Sequence, residues 1–157
     1  MSTHQYELQM VWTGNKGDGT SHYRSYDRNH IIKFANKPDL MASADPTFRG
    51  DPTKYNPEEL LLAALSGCHM MSFLHVCVNA GVIVTAYEDR ATGSMIVNPD
   101  GSGRFTEVVL NPIVTVAKAS MIENINELHA KANNLCFIAN SCNFPILHQA
   151  SVLIDNG

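Results

Sequence analysis

Four cysteines, Cys68, Cys77, Cys136 and Cys142, are the side chains in this sequence most able to do chemistry. A thiolate is both a nucleophile and a metal ligand, and structural disulfides are rare inside cells, so spaced thiols point to catalysis or metal binding. Cys68 is followed by Ser72 and His75 at helical spacing, which places the three on one face. On a buried helix a cysteine behaves as a small hydrophobe unless a cation or a helix N-terminus stabilises its thiolate. Arg24, Arg28 and Arg49 stand in segments able to fold over it. Glu58 precedes Cys68 by ten residues, about 15 Å along a helix axis, too far to share a site within one chain. If both serve one site, Glu58 comes from an antiparallel copy of the helix, and the protein is a homodimer with two symmetric sites at its interface. Alone, Glu58 is also the first-turn acid that a helix dipole favours. A metal site built from Cys68, His69, His75 and Cys77 is disfavoured, because only Cys68 and His75 share a face. His69 reads as a core or interface histidine.

The element that must position these groups opens at Asn56. An Asn cap, Pro57 at the first helical position and the acids Glu58 and Glu59 precede Leu60-Leu61-Leu62-Ala63-Ala64-Leu65, and all agree with one helix direction. The helix is expected to run to about Asn79 and to stop at Gly81. It is apolar on nearly every face, so it should be a central helix covered by its own sheet and by another subunit. Before it, Gln5 to Thr13 and Thr20 to Phe34 read as a hairpin around a Gly-rich turn, and Lys37 to Tyr55 reads as a breaker-rich loop. After it, Val82 to Val97 and Gly103 to Val116 flank the turn Asn98-Pro99-Asp100-Gly101. Ser120 and Glu123 have capping-box spacing for a second helix through Met121, Ile125, Leu128 and Ala132, and a strand from His148 to Asp155 closes the chain. This order is α+β, in a single domain over residues 1–157.

The 157 residues carry 45% hydrophobic and 17% charged side chains, the composition of a globular chain rather than a disordered one. Eleven basic against fifteen acidic residues give a net charge of -4 without a basic cluster, which excludes the electrostatic footprint of nucleic-acid binding. Leu60 to Val84 is interrupted by Ser66, His69, Ser72, His75 and Asn79, so no membrane span is expected. Met1 to Gln9 lacks a basic region followed by an apolar run, and a cytoplasmic location is the default expectation.

The run from Asn56-Pro57-Glu58-Glu59-Leu60 to Ala63-Ala64 and Cys68 resembles the NPEEL…AAxxxC signature of the OsmC/Ohr family of thiol-dependent peroxidases, including its Asn-to-Cys spacing. The breaker-rich loop with Phe48-Arg49-Gly50 and a later helix leading to a second cysteine extend the likeness over most of the chain. The resemblance implies antiparallel sheets around a buried central helix in an intertwined homodimer. It implies a peroxidatic Cys68 that becomes a sulfenic acid, and a Cys136 that condenses with it. It also implies Glu58 as the active-site acid holding a guanidinium, here assigned to Arg49, with Arg28 and Arg24 as alternatives. The family's second cysteine is commonly followed by Pro and Ser, whereas this chain reads Cys136-Phe137-Ile138, with a further thiol at Cys142 as an alternative resolving group. No metal or organic cofactor is implied. The partners implied are an organic hydroperoxide and an external dithiol reductant. A non-catalytic redox-sensing or ligand-binding dimer of the same fold is the alternative function. Met70, Met71, Phe73, Leu74, Phe137 and Phe144 could furnish an apolar wall for the peroxide substituent, or simply core.

Overall fold

Asn56 caps the long helix as its sequence requires. In the computed structural model, which describes residues Met1–Gly157, the Asn56 side-chain oxygen accepts from the Glu59 N–H at 2.8 Å, and a Glu59 carboxylate oxygen accepts from the Asn56 N–H at 3.1 Å. This reciprocal box opens helix α1, Pro57–Asn79. Its far end closes with Gly81 in the left-handed region (φ 70) and the Val82 N–H bonded to the Cys77 carbonyl at 2.9 Å. Asn56→Ala removes one arm of the cap and should lower unfolding free energy by about 1 kcal/mol, read as a lower urea midpoint with an unchanged slope.

The chain gathers into two units, Met1–Leu61 and Leu62–Gly157, and α1 starts in the first and continues in the second. In the first unit, β1 (Gln9–Trp12), β2 (His30–Lys33) and β3 (Leu40–Ala42) form an antiparallel sheet in that order. The strands are shorter than their β-branched composition suggests, because side chains hold residues 14–28 in loops. The Asn15 side-chain oxygen accepts from the N–H groups of Gly17 and Gly19, and the Arg28 guanidinium donates to the carbonyls of Tyr23 and Tyr26. Gly14 lies so close to the Asp27 carbonyl that a Cβ would stand 1.9 Å from its oxygen. The breaker-rich loop contains β3 and a 3₁₀ turn, Pro46–Phe48, whose first N–H groups are met by the Asp45 carboxylate at Thr47 N, 2.7 Å.

In the second unit the two long β-branched runs form one hairpin around Gly101, and the hairpin is bent once. Its first arm divides into β4 (Val84–Asp89) and β5 (Thr92–Val97), its second into β6 (Gly103–Leu110) and β7 (Pro112–Val116). The bend is held by Asp89, whose Oδ1 accepts from Asn111 N at 2.8 Å, and by Asn111 Nδ2, which donates to the Arg90 carbonyl at 2.9 Å. Two sheets result, β4-β7-β9 and β5-β6-β8, completed by β8 (Ile146–His148) and β9 (Ser151–Ile154). Both late strands run parallel to their neighbours, so these sheets are mixed.

Helix α2, Ile125–Leu135, begins four residues later than the Ser120 capping box predicts. Ala119–Met121 is instead a 3₁₀ turn, and Asn124 stands at the N-cap without a side-chain bond. Met121 is drawn towards the sheet, where its sulfur accepts from Ile83 N and its side chain packs on the core, which outweighs the local box. That core joins Phe73, Val76 and Cys77 of α1 to Val114 and Val116 of β7 and to Ile125, Leu128 and Ala132 of α2. α1 has the length and hydropathy of a membrane-spanning helix, yet its Leu65, His69, Phe73, Val76 and Cys77 are buried as in a core helix. Another stripe of α1, with Ala64, Met71 and Val78 at helical spacing, is exposed.

Candidate active site

The structure brings two thiols together across 68 residues of sequence. Cys68 lies on α1, half-buried, beside the buried stripe of Leu65, His69 and Phe73. Cys136 is the C-cap of α2, on the inward face it shares with His129 and Ala132, and is 1% exposed. All four cysteines are free thiols. Burial, then a hydrogen bond with Cys68, pushes the Cys136 thiol up to about 11, while its sulfur accepts from Ala139 N at 3.4 Å. Cys77 is pushed up to about 11 by burial alone and belongs to the apolar core. Cys142, half-buried and also raised by burial, closes the 3₁₀ turn Ala139–Ser141.

Glu58 and Arg49 are not brought to each other within this chain. Glu58 sits in the first turn of α1 with Oε2 buried and unpartnered, and no ion pair forms at either residue. Arg49 follows the 3₁₀ turn with φ 65, a left-handed conformation that costs a non-glycine residue energy and often marks functional loops. Its exposed guanidinium makes no hydrogen bond and lies 5.6 Å from the Tyr23 ring centre. Arg28, by contrast, is committed to two carbonyls of its own loop and to the Tyr26 ring. Among the apolar candidates, Phe73 is core, Phe144 packs on Phe105 at 5.5 Å between ring centres, and Met71 and Phe137 are exposed. No three His, Cys, Asp or Glu side chains are arranged to hold a metal ion.

Two histidines that no sequence motif selects complete the surroundings. His69 meets His129 of α2 and His148 of β8, and Phe73 stacks on His129 at 3.9 Å. No local motif marks them, because they lie 60 and 79 residues after His69 and meet it only through the fold. Asp89 adds a polar anchor to α1, accepting from Ser66 Oγ at 2.5 Å.

The buried helix of this α+β fold thus carries one thiol beside a second, helix-capping thiol. A family profile described as OsmC-like protein matches residues 50–149, so the chain belongs to the OsmC-like family. Its fold is shared with an OsmC-like protein of unknown function from Vibrio cholerae at 28% identity, with a TM-score of 0.83 over 95% of this chain and 100% of that one. It is also similar to an organic hydroperoxide resistance protein from Elizabethkingia anophelis (20% identity, TM-score 0.68, 98% and 100% covered). An organic hydroperoxide resistance protein from Legionella pneumophila aligns at 18% identity, TM-score 0.69, with 96% and 99% covered. Comparison with curated proteins gives no significant match.

Proposed function

We propose that the protein is a thiol-dependent peroxidase for organic hydroperoxides, acting as a homodimer without metal or organic cofactor. The observation that carries this reading is the Cys68–Cys136 pair, a half-buried thiol beside a fully buried one. In the reaction, the Cys68 thiolate attacks the distal peroxide oxygen, the O–O bond breaks, and the departing alkoxide takes a proton to become the alcohol. The Cys68 sulfenic acid then condenses with the Cys136 thiol, forming the S–S bond and releasing water. An external dithiol reduces the bridge. Arg49 is the guanidinium assigned to stabilise the thiolate and the departing oxygen, because charge and donors come together in that group. Glu58 of the partner subunit would orient it. Two features support the dimer: the unpartnered buried Oε2 of Glu58, and the uncovered apolar stripe of α1.

A second reading, a sensor that oxidises once, is favoured by the Cys136 thiol, since a group held near 11 is a slow resolver at neutral pH. Non-reducing peptide mapping after one equivalent of cumene hydroperoxide tests the chemistry. A Cys68–Cys136 bridge is the expected product in a species that elutes as a dimer. A bridge that leaves out Cys68, or an unoxidised monomer, would discard the proposal.

A further inference from the structure

His69, His129 and His148 form a buried stack of three imidazoles, one from each of α1, α2 and β8. His69 Nε2 and His129 Nδ1 are 2.9 Å apart, so one ring donates and the other accepts. The His69 ring centre lies 4.3 Å from that of His148 and 5.2 Å from that of His129. His69 and His129 are 1% and 2% exposed, and each ring in the cluster keeps one buried nitrogen without a partner: His69 Nδ1, His129 Nε2 and His148 Nε2. Leaving buried nitrogens unpaired is costly, so this arrangement is an unusual choice for mere packing.

The stack stands at the same helix contact that joins the thiols. Cys68 precedes His69 on α1, and Cys136 follows His129 by seven residues on the inward face of α2. The groups facing the stack give a proton on it little compensation, and only at His148. From α1 comes Phe73, and from β4 comes Tyr87, which packs on Phe73 and stays neutral through burial. Asp89, also on β4, is the charge that reaches His148, and its two oxygens are already engaged by Ser66 Oγ and Asn111 N. Water has a route in, since His129 and His148 line a cavity of about 500 Å³ with Asn126, Ile146 and Gln149.

We propose that the His69–His129–His148 stack is a proton-sensitive clamp: neutral, it holds α1 against α2 so that Cys68 meets Cys136, and protonated it lets the two sulfurs part. Acid supplies the opening force by linkage: rings set 4 to 5 Å apart in the closed stack resist protons, whereas opened and hydrated imidazoles take them up near 6.5. Burial keeps all three rings neutral at pH 7, with His69 lowered to about 3 and His129 to about 4, so the clamp stays shut until the medium is acidic. The consequence for the thiol pair rests on the peroxidase reading, whereas the opening itself does not. These are positioning residues, since none touches the reacting sulfur in the structure.

The test is site-resolved labelling of the native full-length protein with 4,4′-dithiodipyridine at pH 7.5 and 5.5. Cys77 serves as internal reference, being as buried as Cys136 but set in the apolar core. The Cys136-to-Cys77 rate ratio should rise at least tenfold on acidification in the wild-type protein and rise severalfold less in His129→Gln, whose amide can still bond to His69 but does not titrate, and an equal rise in that variant would overturn the clamp. If His129→Gln fails to fold, His148→Gln carries the same comparison. A wild-type ratio that does not move, including one in which both cysteines become reactive together, overturns the clamp whether or not peroxide forms a bridge. A ratio that rises while no Cys68–Cys136 bridge forms at pH 7.5 upholds the clamp and overturns the peroxidase reading instead.

Discussion

Cys68→Ser should cut steady-state consumption of cumene hydroperoxide, with a dithiol as reductant, by at least about a thousandfold, while Cys136→Ser should consume one equivalent per protomer and then stall. The first expectation follows from nucleophilicity: a serine hydroxyl is essentially un-ionised at neutral pH, whereas a thiol is a competent nucleophile once ionised. The second follows from the location of Cys136. It is 1% exposed and in contact with Cys68, so a sulfenic acid formed on Cys68 finds its partner without any large movement. With Cys136 absent, no disulfide forms for the external dithiol to reduce, and the Cys68 sulfenic acid is left to over-oxidation. The Cys136 thiol near 11 adds a signature: at pH 7.5 only about one thiol in three thousand is ionised, so if resolution limits turnover the rate should climb close to tenfold per pH unit between 7 and 9. Wild-type rates in Cys136→Ser at every pH would remove Cys136 from the mechanism. One equivalent consumed by the wild-type protein, with no further turnover, would select the sensor.

Much of this site was legible from short-range pattern. The cap at Asn56, the stop at Gly81 and the bend-free interior between them are local chemistry, and α1 formed with those boundaries. The turn at Gly101 was equally local. What the sequence did not disclose depended on contacts far apart in the chain. The interruption of both hairpin arms at one level comes from Asp89 meeting Asn111, and neither residue breaks a strand by itself. The Ser120 capping box had the right spacing but lost to Met121, which gains more against the core than a cap returns. The strands expected over residues 20–29 were overruled by the carbonyl grip of Arg28, which also removes that side chain as a free cation and leaves Arg49 unengaged. His129 and His148 carry no motif, and only the packing of α2 and β8 against α1 turns three scattered histidines into one cluster.

That cluster predicts how stability depends on pH. In the unfolded chain histidine titrates near 6.5, whereas in the folded protein His69 and His129 are lowered to about 3 and about 4, chiefly by burial. Between those limits the unfolded state binds protons that the folded state refuses, so unfolding free energy must fall as pH falls; above about 7 neither state is protonated and the dependence vanishes. At pH 5 the full effect would be about 2 kcal/mol for each histidine, from 1.5 pH units at about 1.36 kcal/mol per unit. Water entering the cavity beside His129 and His148 screens part of it, so about 1 to 2 kcal/mol each is expected. His148, lowered by the same burial, acts in the same direction. The carboxylates held low in the fold, such as Asp51, remain ionised in both states over most of this range and add their own loss only nearer pH 4 and below. Urea unfolding at pH 7.5 and 5.0 should therefore differ by about 2 to 4 kcal/mol, and His129→Gln should reduce the difference by about a third to a half. Equal stabilities at the two pH values would mean that the imidazoles accept protons in place, and that the stack is neither as dry nor as rigid as its unpaired nitrogens imply.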